Sequence, residues 1–484
     1  MQNKESLSRK LTLGIFYLLT SSITTLGINV ITVGFIARKL GVENFGLYSA
    51  ILSFVGLFQF LSDFGLNKSL LRFGSTDSDK AQTSFGTALF LKSILIIPTL
   101  LLLTGIGYLA KYKGTDLIIL ELFAISLILD SYGTVFSSIR RILGNFKLIA
   151  FFRVLRTIIN LIITIIALSI NSSVLNLAIA NAILSLVTFI ISLINTILIL
   201  KPKLQIALIK EFLKDSIIFS FSDFFLNIYS KISTVLLSFF NDLHSVGIYS
   251  AAVRCTRIAN LLPNQVKFAL IPTMYRILED NSPASSLNPQ KAFTILLKYM
   301  VVLATPLVVS IYFFSDFFIH LVFGSKYDLS IPLVQLFSFF IYLRFLEAPF
   351  SLFYIGMHKH KNMVYYQGIT CATNIILNLI LIPKFSAYGA CYATIISESI
   401  SIFLYIIIGS KYLIWNVLHV LTILLKPLGA ISLSVITMFM FFNNYNIFIR
   451  VAFLIVSYFG FIFIIKTFNE DDKILLRKIL QLKK

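Results

Sequence analysis

Charge is scarce in this chain, and acidic charge most of all. Only 13% of its 484 residues are charged, with 21 Asp and Glu against 41 Lys and Arg. Hydrophobic residues make up 57%, and the mean hydropathy is +0.89. That balance excludes an ordinary soluble domain. Cysteine is rare too: Cys255, Cys371 and Cys391 sit inside apolar segments at unrelated spacings. They form neither a disulfide framework nor a metal motif and read as small buried hydrophobes. No G-x-x-x-x-G-K-[ST] loop occurs, so there is no P-loop for ATP. No His/Cys/Glu cluster has zinc spacing, and His358 and His360 fall in a short basic loop with no third ligand. Neither a metal nor a cofactor is expected. The outer loops are about ten residues or shorter, too small for a glycosyl-transfer site with paired carboxylates. The chain is not expected to be an enzyme.

What is abundant is the apolar run of about 20 residues, long enough to cross a hydrocarbon core. Backbone polar groups must be satisfied internally in lipid, so these runs are read as helices. The spans expected are 13–36, 47–66, 85–110, 117–137, 149–169, 174–200, 212–238, 246–271, 293–323, 331–357, 363–383, 388–410, 427–442 and 447–466. The chain is therefore an all-α polytopic membrane protein with about 14 transmembrane helices. Residues 412–426 read either as an interfacial helix or as the start of one long helix kinked at Pro427. The first span, after Lys4, Arg9 and Lys10, is too long for a cleaved signal peptide.

The net charge of +20 is explained by topology rather than by nucleic acid, since no basic patch is interleaved with exposed aromatics. With the N-terminus inside, cytoplasmic loops carry Lys68, Arg72 and Lys80, then Arg140, Arg141 and Lys147, with further Lys and Arg in each later inner loop. Opposite loops carry only Arg38, Lys39, Lys111, Lys113, Lys326 and Lys384. The bias places both termini in the cytoplasm of a multi-pass inner-membrane protein. The inner loop from 274 to 292 reads as a flexible link. The tail after Asn469, with Ile474, Leu475, Ile479 and Leu482 on one side, reads as a helix lying on the inner leaflet.

A repeat divides the chain. Phe45-Gly46-Leu47-Tyr48-Ser49-Ala50 returns as Val246-Gly247-Ile248-Tyr249-Ser250-Ala251, an offset of about 200 residues. Asn160-Leu161 followed by Leu177-Ala178-Ile179-Ala180 is echoed by Asn378-Leu379 followed by Gly389-Ala390-Cys391-Tyr392-Ala393-Thr394. Two related six-helix lobes around a central cavity are expected, 1–205 and 206–410. Two extra helices and a basic cytoplasmic tail follow at 411–484. Such repeats are a common plan of secondary transporters.

The rare polar residues fall in stripes at helical spacing, the mark of a face turned from lipid. The first two spans carry Ser22, Thr25, Asn29 and Thr32, then Ser49, Ser53, Gly56 and Asp63. Spans seven and eight carry Asp223, Asn227 and Lys231, then Ser250, Arg254, Arg257 and Asn264. At 1.5 Å per residue Arg254 lies about 10 Å and Arg257 about 15 Å from the outer end of its span, with Lys231 and Asp223 at matching depths. Polar glue between packed helices accounts equally well for the Ser and Thr positions, and Asp223 could neutralise Arg257. Even then the sequence shows no obvious acidic partner for Lys231 and Arg254 on these two helices. An anionic ligand follows, because a planar guanidinium donates bidentately to phosphate. The candidate site is therefore Lys231, Arg254 and Arg257 for a diphosphate, with Asn29, Ser53, Asp63, Asp223 and Asn227 as polar lining. Arg153 and Arg156 read as snorkelling to headgroups. Arg344 and Glu347 are spaced to pair. Glu121, Asp130 and Glu398 are embedded acids that the sequence does not place.

Phe35-Ile36-Ala37-Arg38-Lys39-Leu40-Gly41, Phe45-Gly46-Leu47-Tyr48, Asp63-Phe64-Gly65-Leu66 and Arg72 resemble the opening of bacterial polysaccharide repeat-unit flippases. Asn378-Leu379-Ile380-Leu381-Ile382-Pro383 with Gly389-Ala390-Cys391-Tyr392-Ala393-Thr394 is similar to their pattern near the end of the second lobe. These proteins, flippases of O-antigen and capsule repeat units, belong to the multidrug/oligosaccharidyl-lipid/polysaccharide exporter superfamily. The resemblance covers essentially the whole chain. It implies two six-helix lobes around a cavity and export of undecaprenyl-diphosphate-linked oligosaccharides from inner to outer leaflet. The implied partners are that glycan, membrane lipids and a membrane polysaccharide polymerase, with no nucleic acid. The sequence leaves open a lipid II flippase and a multidrug exporter, although an exporter of cations should present acidic rather than basic stripes.

Overall fold

The computed structural model describes residues 2–468 apart from 76, 111, 241, 258, 268–269, 271–288, 358–359 and 411–416. The expected link at 274–292 falls largely outside the described residues, as do His358 and the C-terminal tail. Helices follow one another along the chain: α1 Gln2–Leu57, α2 Gln59–Asp63, α3 Leu66–Gly74, α4 Ser78–Leu109, α5 Thr115–Ile142, α6 Phe146–Ile170, α7 Val174–Ile199, α8 Ile206–Phe240 and α9 Leu243–Arg257. Then come α10 Pro289–Phe313, α11 Ser315–Val322, a 3₁₀ turn at Ser325–Ser330, α12 Ile331–Gly356, α13 His360–Gly409, α14 Val417–Phe442 and α15 Ile447–Ile464. No strand occurs among the described residues.

Ten of these helical stretches are long and apolar enough to cross a membrane. Two of the ten are double, because α1 breaks at Gly41 (φ 74°) and α13 at Ser386 (φ 51°), where the sequence places a turn between two spans. Large apolar side chains stand fully outward on them, such as Leu109, Ile170 and Leu198 at 77–80% exposure. Water would not tolerate such surfaces on this scale, and lipid favours them. This is a multi-pass membrane protein.

Some expected boundaries shift. The second span stops at a left-handed cap, Phe64 (φ 43°) and Gly65 (φ 75°), from which short α3 departs. The ninth span divides at Phe314, where the Ser315 hydroxyl donates to the Tyr312 carbonyl and competes with the helix ladder. Pro427 lies inside α14, so that part of the ambiguous stretch from 417 onward is one helix through the proline.

The chain packs as two compact units. The first comprises Met1–Ser250 with His320–Tyr327 and Asn378–Ala390. One part of its core joins α3, α4, α5 and α8 through Leu66, Leu70, Phe85, Phe136 and Phe212. The second comprises Ala251–Ile319, Asp328–Leu377 and Cys391–Lys484. There Tyr458 of α15 donates to the Val302 carbonyl at 2.9 Å, amid Phe314, Ile431 and Leu454.

The repeated motif has a structural meaning inside the first unit. A Cβ on Gly46 would lie 1.9 Å from the Leu243 carbonyl oxygen, and one on Gly247 would lie 2.1 Å from that of Val42. Each glycine thus meets the carbonyl four residues before the other, and only a hydrogen fits between the backbones. Beside this contact, Arg38 donates to the carbonyls of His320, Leu321 and Val322 at 2.6–3.1 Å. Those are the last carbonyls of α11, where a cation is favoured by the helix dipole. The Asp242 carboxylate starts α9 by accepting from the Ser245 N–H at 2.8 Å, a bond that holds its pKa below the usual aspartate value.

Two outcomes are expected. Gly46→Ala should cost about 1–3 kcal/mol by overpacking. Gly27→Ala on the same helix, where a Cβ meets nothing within 4 Å, should be neutral or stabilising by up to about 1 kcal/mol. Thermal unfolding in detergent compares them directly, and equal melting temperatures would contradict the contact. Asp242→Ala should cost about 1 kcal/mol at neutral pH. Because the folded pKa is depressed, the wild-type advantage persists above the unfolded carboxylate value of about 3.9 and vanishes as pH falls through the folded value. A difference that grows on acidification would contradict the cap.

Candidate functional site

The polar face of the second span folds against α4 and α8. Gly56 leaves room for the Lys231 stem: a Cβ there would lie 2.8 Å from both Cε and Nζ of that lysine. Ser53 is half-buried on the same stretch of α1. Asp63, last residue of α2, accepts from Lys92 at 3.0 Å and from the Asn67 amide, which also donates to Thr134 at 2.6 Å. The Lys92 side chain is fully buried in α4, and such a cation requires this carboxylate. On α8, Asp223 takes both oxygens to Lys68 at 2.8 and 2.9 Å, and Asp215 pairs with Arg72 while accepting from Ser69 at 2.9 Å. Asn227 donates to the Asp223 carbonyl one turn back. Asp223 is thus matched by Lys68 of the short helix α3, not by Arg257 as its depth suggested.

Arg254 and Arg257 end α9 and belong to the second unit, the first half-buried and the second exposed. The same unit holds a compact charge cluster. Arg344 of α12 donates to Glu347 at 3.0 Å, the pair expected from spacing, and also to Glu398 of α13 at 3.1 Å. Glu398 is only 1% exposed. Lys267 lies within electrostatic reach of all three, which brings the cluster to neutrality.

A third arrangement was not anticipated. Helices α5, α6 and α7 of the first unit wall a cavity of about 510 Å³, with Asn29 of α1 at its edge. Arg153 and Arg156 turn into it instead of reaching for headgroups. Arg153 donates to the Ser22 hydroxyl at 3.0 Å, and Arg156 pairs with Asp130. Arg140, at the end of α5, also lines it. Of the lining residues expected from sequence, Asn29 faces this space, whereas Asp63, Asp223 and Asn227 belong to the paired network of α2, α3, α4 and α8. Arg140, expected in a cytoplasmic loop, instead lies buried in the last turn of α5. Lys92 went unnoticed, although a lone lysine in Leu89-Phe90-Leu91-Lys92-Ser93-Ile94 was itself a signal of a buried partner.

Residues 11–278, more than half of the chain, match the family described as polysaccharide biosynthesis protein. The chain belongs to that family. Curated relatives of the chain include an uncharacterized membrane protein of Methanocaldococcus jannaschii, 28% identical over 165 residues. That alignment covers 33% of this chain and 31% of the relative. Another is "Probable flippase AglR" of Haloferax volcanii, 28% identical over 185 residues, 36% of each chain. The chain spans about a third of the length of these relatives in the matched regions. Its fold is that of the lipid II flippase MurJ in an inward closed conformation, with TM-score 0.75 at 18% identity over 94% of this chain and 99% of that one. An inward-facing multidrug resistance transporter, described as a MATE family member of the MOP superfamily, superposes with TM-score 0.64 at 15% identity, covering 82% and 97%. A transporter from Pyrococcus furiosus, described as having a binding pocket of reversed polarity, gives 0.58 at 14%, covering 82% and 95%. These likenesses establish the fold of the chain.

The buried pair supplies a test. Asp63→Asn should destabilise the family member by about 3–5 kcal/mol by stranding Lys92, while the double change Asp63→Asn with Lys92→Met should recover most of that loss. Unfolding midpoints of the three chains in one detergent check it. A single variant as stable as wild type would contradict the pairing.

Proposed function

We propose that this protein is a flippase that moves undecaprenyl-diphosphate-linked oligosaccharide repeat units from the inner to the outer leaflet of a bacterial cytoplasmic membrane by alternating access. The family match over residues 11–278 carries the reading. The name of the AglR relative supports translocation, and the fold shared with exporters supports it over catalysis. The proposed division is two lobes, 1–205 and 206–410, followed by 411–484, with both termini cytoplasmic. A membrane polysaccharide polymerase is the proposed downstream partner.

Lys231, Arg254 and Arg257 are proposed to recognise the diphosphate, since charge-assisted bonds from guanidinium and ammonium suit its oxygens. Asn29, Ser53, Asp63, Asp223 and Asn227 offer amide, hydroxyl and carboxylate groups to sugar hydroxyls. Asp63 and Asp223 would do so through lone pairs left over from Lys92 and Lys68. With the cytoplasm negative, carrying two negative charges outward gains about 4–5 kcal/mol per 100 mV, so transport needs no ATP. Lipid II, the cargo named for the structural neighbour MurJ, is the second reading.

Proteoliposomes holding labelled undecaprenyl-diphosphate oligosaccharide, lipid II or a cationic dye separate the readings. The oligosaccharide should move fastest, and Arg254→Ala or Lys231→Ala should slow it about tenfold or more, the effect of losing roughly 1.4 kcal/mol of charged contact, at unchanged protein level. Preferential movement of lipid II favours the second reading, and movement of the dye alone overturns both.

A further inference from the structure

We propose that the cavity walled by α5, α6 and α7 is an anion site that takes the phosphate or diphosphate group of a lipid. It lies wholly within the first unit and goes beyond the recognition assigned above to Lys231, Arg254 and Arg257. Three arginines and one aspartate line it: Arg140, Arg153, Arg156 and Asp130. Asp130 is engaged by Arg156. Among the described residues no carboxylate pairs with Arg140 or Arg153, so the charge of these two guanidiniums has no counter-ion there.

Arg140 is only 3% exposed. Its Nη2 donates to the Ser192 carbonyl at 3.4 Å and the Thr196 hydroxyl at 3.3 Å, both long for such bonds. Its guanidinium stacks over the Phe152 ring at 4.6 Å. Its Nε is buried with no hydrogen-bond partner among the described residues. A guanidinium taken from water and given only neutral partners is poorly compensated until an anion joins it. The dipole at the C-terminal end of α5 favours a cation at Arg140. Arg153 stands in the first half of α6 and gains no such support from its own helix.

The planar fork of arginine matches phosphate oxygens in pairs. A volume of about 510 Å³ suits a headgroup rather than a lone ion, since small-molecule clefts span about 300–1,000 Å³. The ligand arrives on a lipid because Ile183, Val187 and Ile191 of α7 belong to the cavity wall and are also exposed on the apolar surface. Farther along, Asn160 and Asn181 present amides that can meet hydroxyls attached to the phosphate.

The test uses the purified full-length chain and three probes: a polyprenyl diphosphate, phosphatidylglycerol and the uncharged polyprenyl alcohol. Native mass spectrometry and ligand-dependent thermal shifts should detect one of the two phosphorylated lipids and not the alcohol. Which of the two binds tells whether the phosphate comes from a glycan carrier or from bulk lipid. The double variant Arg140→Gln with Arg153→Gln should weaken that binding about tenfold or more. Unchanged affinity in the double variant, or binding of the alcohol as tight as that of the lipids, overturns the site. Should the double variant fail to fold, Ser137→Cys on the cavity wall, with the native cysteines replaced, decides instead. An anionic thiosulfonate should then modify it faster than a cationic one, and the bound lipid should protect it. Equal or reversed rates overturn the proposal. Unchanged lipid binding in the double variant beside Arg254-dependent glycolipid transport would sink this site and leave the flippase reading standing. Lost binding beside transport of the dye alone would do the reverse.

Discussion

An ionised side chain inside an apolar helix must find an opposite charge, a dense set of dipoles or a ligand. That constraint organises the interior of this protein. In the first unit, Asp63 meets the buried Lys92, and Asp130 meets Arg156. Asp215 and Asp223 of α8 are met by Arg72 and Lys68, whose side chains stay exposed on the short helix α3. In the second, Arg344 joins Glu347 and Glu398. Apart from Arg344 and Glu347, one turn apart on α12, these pairs tie different helices together. They act as cross-links where lipid on the outside offers no hydrophobic drive for helix to pack on helix.

Close backbone approach is the second device. The reciprocal contact of Gly46 with Leu243 and of Gly247 with Val42 is made by two copies of one motif at equivalent positions. A repeat that packs against itself needs complementarity in only one short sequence, because each copy supplies both a gap and the carbonyl that fills the other gap. The breaks just before the two motifs, at Gly41 and at the Asp242 cap, free the chain to bring those helix starts together.

The spans, the break near Gly41, the repeat and the polar stripes were legible because hydropathy, turn residues and helical period are local properties. Charge pairing was not, because Arg72 and Asp215 are 143 residues apart and Lys68 and Asp223 are 155 apart, and depth along a helix does not say which neighbour it faces. Arg344 and Glu347, one turn apart, were readable for the opposite reason. Arg153 and Arg156 misled because their distance from the span start fits snorkelling as well as an inward turn. Only the rotation of α6, which sets Arg153 against Ser22 and Arg156 against Asp130, separates the two.

The kind of partner sorts structural cations from ligand-ready ones. Lys92, Lys68, Arg72, Arg156 and Arg344 each hold a carboxylate, and an incoming phosphate would have to displace that fixed negative charge or sit beside it. Arg140 and Arg153 hold hydroxyls, a carbonyl and a ring. Exchanging a serine or threonine oxygen for a phosphate oxygen replaces a neutral acceptor by an anionic one that the guanidinium fork can hold bidentately. The exchange is also reversible, since the hydroxyl remains in place to recover the donor when the anion leaves. A protein that must bind an anionic headgroup and then release it is better served by guanidiniums resting on hydroxyls than by guanidiniums locked to carboxylates. Three of the first unit's locked pairs lie where α2, α3, α4 and α8 meet, while the exchangeable guanidiniums line the cavity of α5, α6 and α7 beside the locked Arg156–Asp130 pair.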